Sequence, residues 1–116
     1  MQETHPSSDT PHTEVVTVFR SRFRDDAGEG YGRTADAMEQ RARAMPGFVD
    51  FKTFTAADGE RVSLITFASR EAHDGWRDDP AHRAAQERGR EHWYAEYTIQ
   101  VCNLVAERTF THDECE

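Results

Sequence analysis

The stretch GFVDFKTFTAADGERVSLITFAS, residues 47–69, carries the clearest structural pattern in this chain. Its two ends, 47–56 and 61–69, are rich in β-branched and aromatic residues, which predicts two strands. Between them lies Asp58-Gly59, a dipeptide that strongly indicates a tight hairpin turn. Because a sheet that is apolar on both faces needs a cover on each, this hairpin predicts helices on one side and a further layer on the other. The second strand places Val62, Leu64 and Thr66 on one face and Ile65 and Phe67 on the other.

The residues before the hairpin predict a strand and then a helix. EVVTVFRSRF, 14–23, begins with β-branched residues and then alternates aromatic and polar side chains, which is typical of a strand with one solvated end. From Arg33 to Met45, apolar residues recur at intervals of three and four, the spacing of a helical face. We expect Pro46-Gly47 to end this helix, because the residue before a proline is biased away from helical geometry.

The residues after the hairpin predict a helix in two pieces and a last strand. Ser69 is suited to cap a short helix. Asp79 followed by Pro80 then indicates a second start, with a capping carboxylate and a proline at the first helical position. We expect this second piece to continue through AHRAAQERGREHWYAE, 81–96, and a strand to follow over 97–110.

The predicted order is therefore β-α-β-β-α-β, the ferredoxin-like arrangement of the α+β class. It has an antiparallel four-stranded sheet with the helices on one face. A second copy of the same sheet is the simplest cover for the other apolar face. We therefore expect a homodimer that forms through the sheet faces.

Length, charge and composition restrict the classes of function. The chain has 116 residues, and we expect one domain at 14–110 between a disordered leader (1–13) and a flexible acidic tail (111–116). The net charge is −8, from 14 basic and 22 acidic residues, which argues against nucleic acid as a partner. Because no apolar run is long enough for a membrane span and the first residues do not form a signal peptide, we expect a cytoplasmic protein. Cys102 and Cys115 do not indicate a disulfide framework.

The candidate functional site is HDGWRDDPAHRAAQ, residues 73–86. Trp76 ends one helix and His82 begins the next, so the bend between them is expected to bring both side chains to a common side. His82, Gln86 and Trp93 share one helical stripe, which is more polar than a core seam and is typical of a cavity wall. An indole and an imidazole in this place could hold a flat substrate and stabilise charge that develops on its oxygen. The structural alternative is a core tryptophan beside a surface histidine.

Three further features have both a functional and a structural interpretation. Arg20, on the first strand, either attracts an anionic substrate or lies on a solvated edge. Trp93 belongs to the aromatic cluster EHWYAEY, 91–97, which forms either a lid over a pocket or ordinary packing at a dimer edge. His73 is expected to be solvated. The histidines lack a familiar metal-ligand spacing, so we predict no metal site.

The motifs MPGFVDFKTF, SLITFASREAHDGWRDDPAHRAAQ and YTIQVC, in this order, resemble the antibiotic biosynthesis monooxygenase (ABM) family of dimeric α/β-barrel proteins. The resemblance spans about residues 14–110. Its most telling parts are Pro46-Gly47-Phe48 and the block that contains Phe67, Ala72, Trp76, Pro80 and His82.

The resemblance implies a homodimer with one pocket per subunit, between the sheet and the helices. It also implies a cofactor-independent monooxygenase that oxidises a flat phenolic, anthrone or quinol substrate of polyketide type with O2. Such enzymes deprotonate the substrate, and the resulting carbanion or phenolate reacts directly with O2, without metal, flavin or heme. Trp76 and His82 would be the catalytic residues, and Arg20, Phe67, Gln86 and Trp93 would contact the hydrophobic aromatic substrate.

Two departures from the family's patterns leave alternatives open. Ala72 stands where some of these oxygenases have an asparagine. A heme-degrading branch has an asparagine on the first strand and an axial histidine ten residues after the tryptophan, where this chain has Gln86. The alternatives are a heme-binding or heme-dependent protein that uses His82 or His92, and a non-catalytic dimeric binder of small molecules.

Overall fold

The computed structural model describes residues 12–112. The expected leader and tail therefore lie mostly outside the described residues. The described chain follows the predicted order of strands and helices, which confirms the ferredoxin-like α+β fold. Its elements are β1 (Val15–Phe23), α1 (Tyr31–Arg43), β2 (Phe48–Thr55), β3 (Arg61–Phe67), α2 (Arg70–Arg77), α3 (Pro80–Arg88), a π-helical turn (Gly89–Trp93) and β4 (Tyr94–Asn103).

The four strands form one antiparallel sheet in the order β2-β3-β1-β4. In the central strand β1, Thr17 lies opposite Ile65 of β3 and Val101 of β4. Because side chains alternate along a strand, these three residues share one face of the sheet, and Val16 and Val18 lie on the other. The central strand β1 is therefore apolar on both faces, and the hairpin sequence predicts the same for its neighbour β3.

The three helices cover the face that carries Thr17. Ile65 and Phe67 of β3 pack there against Ala42 of α1 and Trp76 of α2, and together they form the buried core. Phe67 is completely buried, with 0% of its surface exposed. This face holds both the core and, beside it, the space that forms the candidate site.

The opposite face of the sheet presents apolar side chains without a helix over them in the described part of the chain. Val16 and Val18 of β1 and Val62 and Leu64 of β3 lie on this face and are only partly buried. On the neighbouring strand β2, Phe54 is 48% exposed. The sheet therefore has the second apolar face that the hairpin sequence predicts.

The end of the fold differs from the prediction in two places. α3 ends at Arg88, and β4 spans residues 94–103 rather than 97–110. β4 starts early because a register shift at the end of β1 lets Tyr94 pair with Phe23. It ends early because Asn103 already lies opposite Val15, the first residue of β1, so that later residues have no strand to pair with.

Two glycines with positive φ set the ends of the segment between β1 and β2. Gly30 (φ 98°) precedes α1, which therefore begins at Tyr31 instead of the expected Arg33. Gly47 (φ 81°) turns the chain into β2, and a Cβ atom at this position would lie 2.5 Å from the Cβ of Ala72. Helix α2 thus packs directly against the start of β2, and this close contact uses the side chain of Ala72. No helix within residues 12–112 is both long enough and apolar enough to cross a bilayer.

Candidate functional site

An open cavity of about 430 Å³ lies between the helices and the covered face of the sheet. This size falls within the range of small-molecule sites, roughly 300–1,000 Å³. The cavity receives side chains from all four strands, all three helices and the π-helical turn, and most of them are apolar. Its wall includes Phe19, Ile65, Trp76, His82, Gln86 and Trp93.

The joint between α2 and α3 places Trp76 and His82 in this wall. Ser69 caps α2, because its Oγ accepts a hydrogen bond from the backbone N–H of Ala72 at 3.1 Å. Asp79 caps α3 in the same way, with its Oδ2 3.0 Å from the backbone nitrogen of His82. The bend between the two caps brings the rings of Trp76 and His82 into a stack, with centroids 3.9 Å apart and planes 14° from parallel.

His82 is held in one tautomer. Its Nδ1 lies 3.0 Å from the carbonyl oxygen of Trp76. Because a carbonyl oxygen only accepts hydrogen bonds, Nδ1 carries the proton and Nε2 keeps its lone pair. Burial lowers the pKa of His82 below its usual value, although the nearby carbonyl and the carboxylate of Asp79 act in the opposite direction. The residue is therefore a neutral imidazole that can take up a proton at Nε2.

Asp79 also ties this joint to α1. Arg41 of α1 donates two hydrogen bonds to its carboxylate, at 2.6 and 2.9 Å. These bonds lower the pKa of Asp79, which stays ionised and continues to cap α3. Asp79 thus links the start of α3, which carries His82, to α1.

His73 is a second imidazole in the cavity wall, and the prediction that it is solvated is wrong. Only 5% of its surface is exposed, because α2 packs it against the sheet together with Trp76. Its Nδ1 lies 2.8 Å from Oδ1 of Asp74, and this hydrogen bond lowers the pKa of the Asp74 carboxyl. The sequence signal that could have revealed it is the spacing of three residues between His73 and Trp76, which puts both on one helical face.

An aromatic cluster forms the other end of the cavity. Trp93 and Tyr94 follow one another where the π-helical turn meets β4, and both line the cavity. Tyr31 contacts each of them edge to face, at centroid distances of 5.4 and 6.0 Å. Burial raises the pKa of Tyr94, so its hydroxyl stays protonated in neutral solution. Trp93 is 6% exposed and borders the cavity, whereas the neighbouring His92 lies outside it and is exposed.

Four of the six predicted site residues meet at this cavity: Trp76, His82, Gln86 and Trp93. The prediction that Phe67 contacts substrate is wrong, since Phe67 is fully buried in the core below the cavity. The placement of Arg20 is also wrong. Its neighbour Phe19 faces the cavity, so Arg20 faces the other side of the sheet, where it makes a bidentate ion pair with Glu60 at 2.8 and 2.9 Å.

Among residues 12–112 there is no cluster of three or more His, Cys, Asp or Glu side chains arranged to hold a metal ion. The polar groups of the cavity instead lie among apolar side chains, and they include the charged side chains of Asp36, Glu39, Arg61 and Arg77. At its floor, for example, the hydroxyls of Thr53 and Ser63 hydrogen-bond to each other at 2.7 Å. Such a wall is suited to an apolar ligand with a few polar groups.

The family model described as antibiotic biosynthesis monooxygenase matches residues 14–88. The chain belongs to this family. A relative of the ABM chain, "Uncharacterized protein YqjZ" of Bacillus subtilis (strain 168), is 33% identical over 103 residues, which cover 89% of this chain and 90% of that protein. The family resemblance inferred from the sequence motifs is therefore confirmed.

Solved structures with the ABM fold are also similar. Rv0793 from Mycobacterium tuberculosis superposes with a TM-score of 0.73 at 26% identity, over 84% of this chain and 100% of that one. SnoaB from Streptomyces nogalater, a cofactor-independent oxygenase, has a TM-score of 0.66 at 17% identity, over 86% of this chain and 99% of that one. At 17% identity, the similarity to SnoaB concerns the fold.

Proposed function

We propose that this ABM protein is a cofactor-independent monooxygenase that oxidises a flat phenolic, anthrone or quinol substrate with O2. The observation that carries the proposal is the neutral, tautomer-locked His82 stacked on Trp76 in the wall of an apolar cavity. The fold that this chain shares with SnoaB, which is described as a cofactor-independent oxygenase, supports the same reaction class.

In the proposed reaction His82 acts as the general base. Its Nε2 accepts a proton from the substrate, and the imidazolium that forms is stabilised by the Trp76 carbonyl and the Asp79 carboxylate. The substrate anion then gives electrons to O2. For an anthrone, O2 is reduced to water while the ring methylene becomes the carbonyl of the quinone, so that one oxygen atom enters the product and the other leaves as water.

Trp76, whose ring is covered on one side by His82, contributes its remaining apolar surface in the cavity wall to an aromatic substrate. Gln86 lies four residues after His82 on the same face of α3 and also lines the cavity. Its amide can donate a hydrogen bond to the oxygen on which negative charge develops. Binding, deprotonation and stabilisation of the anion then all take place on one wall.

The test is oxygen uptake by metal-free protein that is offered an anthrone and a naphthohydroquinone. His82→Asn is the informative variant, because the asparagine amide can still donate to the Trp76 carbonyl but cannot act as a base. His92→Asn is its matched control, since His92 is exposed and lies outside the cavity. We expect His82→Asn to lower the enzyme-dependent rate by about 100-fold or more and His92→Asn to leave it unchanged. Wild-type uptake no faster than the spontaneous rate would contradict the proposal.

A hemin titration of the same three proteins tests the heme-dependent alternative. The proposal predicts no Soret shift that depends on a histidine. A shift that disappears in His82→Asn or in His92→Asn would replace it with heme binding through that residue.

We also propose that the protein is a homodimer that buries the open face of the sheet. Val16, Val18, Val62 and Leu64 lie on this face only partly buried, and Phe54 is 48% exposed. A second copy would remove this apolar surface from water, at about 25 cal/mol for each Å². Light scattering coupled to size exclusion is expected to give a dimer, and Leu64→Glu, which puts a charge at the centre of the face, is expected to give a monomer. A monomeric wild type at micromolar concentration would contradict this proposal.

A further inference from the structure

Arg61 places a positive charge in the cavity wall. It is the first residue of β3, and its side chain lies on the cavity side of the sheet together with Ser63 and Ile65. Its guanidinium carbon lies 5.4 Å from the centre of the Phe23 ring and 5.6 Å from that of Tyr31. These cation–π contacts hold the planar group in place while leaving its N–H donors free.

In the described part of the chain, Arg61 has no carboxylate partner. Within residues 12–112, no carboxylate oxygen lies within 4.0 Å of its guanidinium nitrogens. The other arginine that borders the cavity, Arg77, is paired with Asp78 at 2.9 Å. Of the two carboxylates that border the cavity from α1, Glu39 is paired with Arg43 at 3.0 Å. The other, Asp36, has its carboxylate oxygens more than 4.0 Å from the guanidinium nitrogens of Arg61. The fork of donors on Arg61 is therefore available to a ligand.

Arg61 and His82 lie at different ends of the cavity. Ile65, four residues after Arg61 along β3, packs with Trp76, the stacking partner of His82. At the rise of a strand, four residues correspond to about 13 Å. Phe19 borders the space between the two ends, so the cavity has one end with Arg61 and the aromatic cluster and one end with the imidazole of His82.

The charge of the whole chain makes the position of Arg61 informative. A protein with a net charge of −8 repels anions in general. A planar aromatic acid would need a specific partner to enter this cavity, and the bidentate geometry of a guanidinium matches that of a carboxylate. A neutral aromatic ligand would gain little from an arginine in this position.

We infer that Arg61 is an anion subsite and that the substrate is an elongated planar aromatic acid. Its carboxylate pairs with Arg61, and its oxidisable hydroxyl or methylene lies beside His82. The oxidisable group rests on the proposed function, whereas the anion subsite does not require turnover. Arg61 thus takes the role that the sequence suggested for Arg20, which faces the other side of the sheet.

The test uses a hydroxynaphthoate with its hydroxyl and carboxylate at opposite ends of the ring system, and the methyl ester of the same acid. Binding is measured without oxygen, by the quenching of Trp76 and Trp93, both of which line the cavity. The wild type is expected to bind the acid about tenfold or more tightly than the ester. Arg61→Gln should abolish this preference, and Arg20→Gln, which removes the same charge on the opposite face, should retain it.

Equal affinities of the wild type for acid and ester would overturn the inference, as would a preference for the acid that is unchanged in Arg61→Gln. If Arg61→Gln does not fold, the ratio of the two affinities in the wild type and in Arg61→Lys decides. Lysine keeps the charge but lacks the forked pair of donors. We therefore expect Arg61→Lys to prefer the acid less strongly than the wild type does. An equal preference would contradict the bidentate pairing. Binding of the acid through Arg61 without any oxygen uptake would support the anion subsite and contradict the proposed function. Oxygen uptake with a neutral quinol, together with equal binding of acid and ester, would do the reverse.

Discussion

Nδ1 of His82 donates a hydrogen bond to the main-chain carbonyl of Trp76, six residues earlier, at 3.0 Å. The same two residues stack ring on ring at 3.9 Å. The ring of Trp76 therefore covers the imidazole of His82, and the carbonyl of the same residue sets its tautomer.

The first prediction concerns the pH dependence of oxygen uptake. Burial lowers the pKa of His82 below its usual value, so the neutral imidazole is the main form at neutral pH. The rate constant kcat/KM should therefore fall on acidification with an apparent pKa below 6.5, as Nε2 becomes protonated. A rate profile measured with a naphthohydroquinone, corrected for spontaneous oxidation, gives the position of this acid limb. An acid limb above pH 6.5 would mean that another group is the base.

The second prediction concerns stability. In the unfolded chain His82 takes up a proton near pH 6.5, whereas in the folded protein it does so only at lower pH. Between these two values the unfolded state binds more protons, so the free energy of unfolding falls as the pH falls and is constant above this window. Urea titrations from about pH 7 to 5 should show this decline in the wild type and a smaller one in His82→Asn. The exposed control His92→Asn should keep the wild-type slope, because its His82 is unchanged.

The third prediction separates the two roles of Asp79. Asp79→Ala removes both the cap of α3 and the ion pair with Arg41, and should destabilise the protein by about 1–2 kcal/mol. Asp79→Asn keeps a capping oxygen and should cost less, as should Arg41→Gln, which leaves the cap intact. Chemical denaturation of the three variants gives this order. Equal losses in Asp79→Ala and Arg41→Gln would show that the ion pair, and not the cap, stabilises the joint.

The fourth prediction concerns the close contact at the π-helical turn. A Cβ atom on Gly89 would lie 2.5 Å from the ring of Tyr94, which is itself packed against Phe19 and Phe23. Gly89→Ala should therefore destabilise the protein by about 1–2 kcal/mol, since the overpacking exceeds the gain in helix propensity. Gly28→Ala is the matched control, because a Cβ there meets nothing within 4 Å. Thermal unfolding of both variants is the measurement, and an unchanged midpoint in Gly89→Ala would mean that Tyr94 moves freely.

The sequence predicts the order of the elements because the strongest local signals agree with the final packing. The hairpin turn at Asp58-Gly59 and the cap at Asp79-Pro80 are both encoded within a few residues. The end of β4 is not encoded locally, because it depends on where the neighbouring strand β1 begins. The π-helical turn includes a close approach of Gly89 to the Tyr94 ring, which a helical pattern of side chains does not reveal.

The site residues on the helices were predictable from the sequence, because local caps and helical spacing determine where their side chains lie. The site residues on the sheet were not. Trp76 and His82 come together through two local caps. The side of the sheet that an arginine faces depends on which face the helices cover, and this is a long-range property. The first strand is apolar at both Val18 and Phe19, so the sequence alone does not tell whether Arg20 faces the cavity. Arg61 lies in the strand that follows the hairpin turn, and the same limit applies to it.

The hydrogen bond that fixes His82 is accepted by the main-chain carbonyl of residue 76, and the side chain of that residue takes no part in it. A mutation at this position changes the shape of the surface that a ligand meets, but it leaves the carbonyl oxygen where it is. A substitution at residue 76 therefore changes the burial of His82, which lowers its pKa, but keeps the acceptor that sets its tautomer. Under the proposed function, variation at residue 76 would change which substrates fit the cavity while Nε2 of His82 keeps its lone pair.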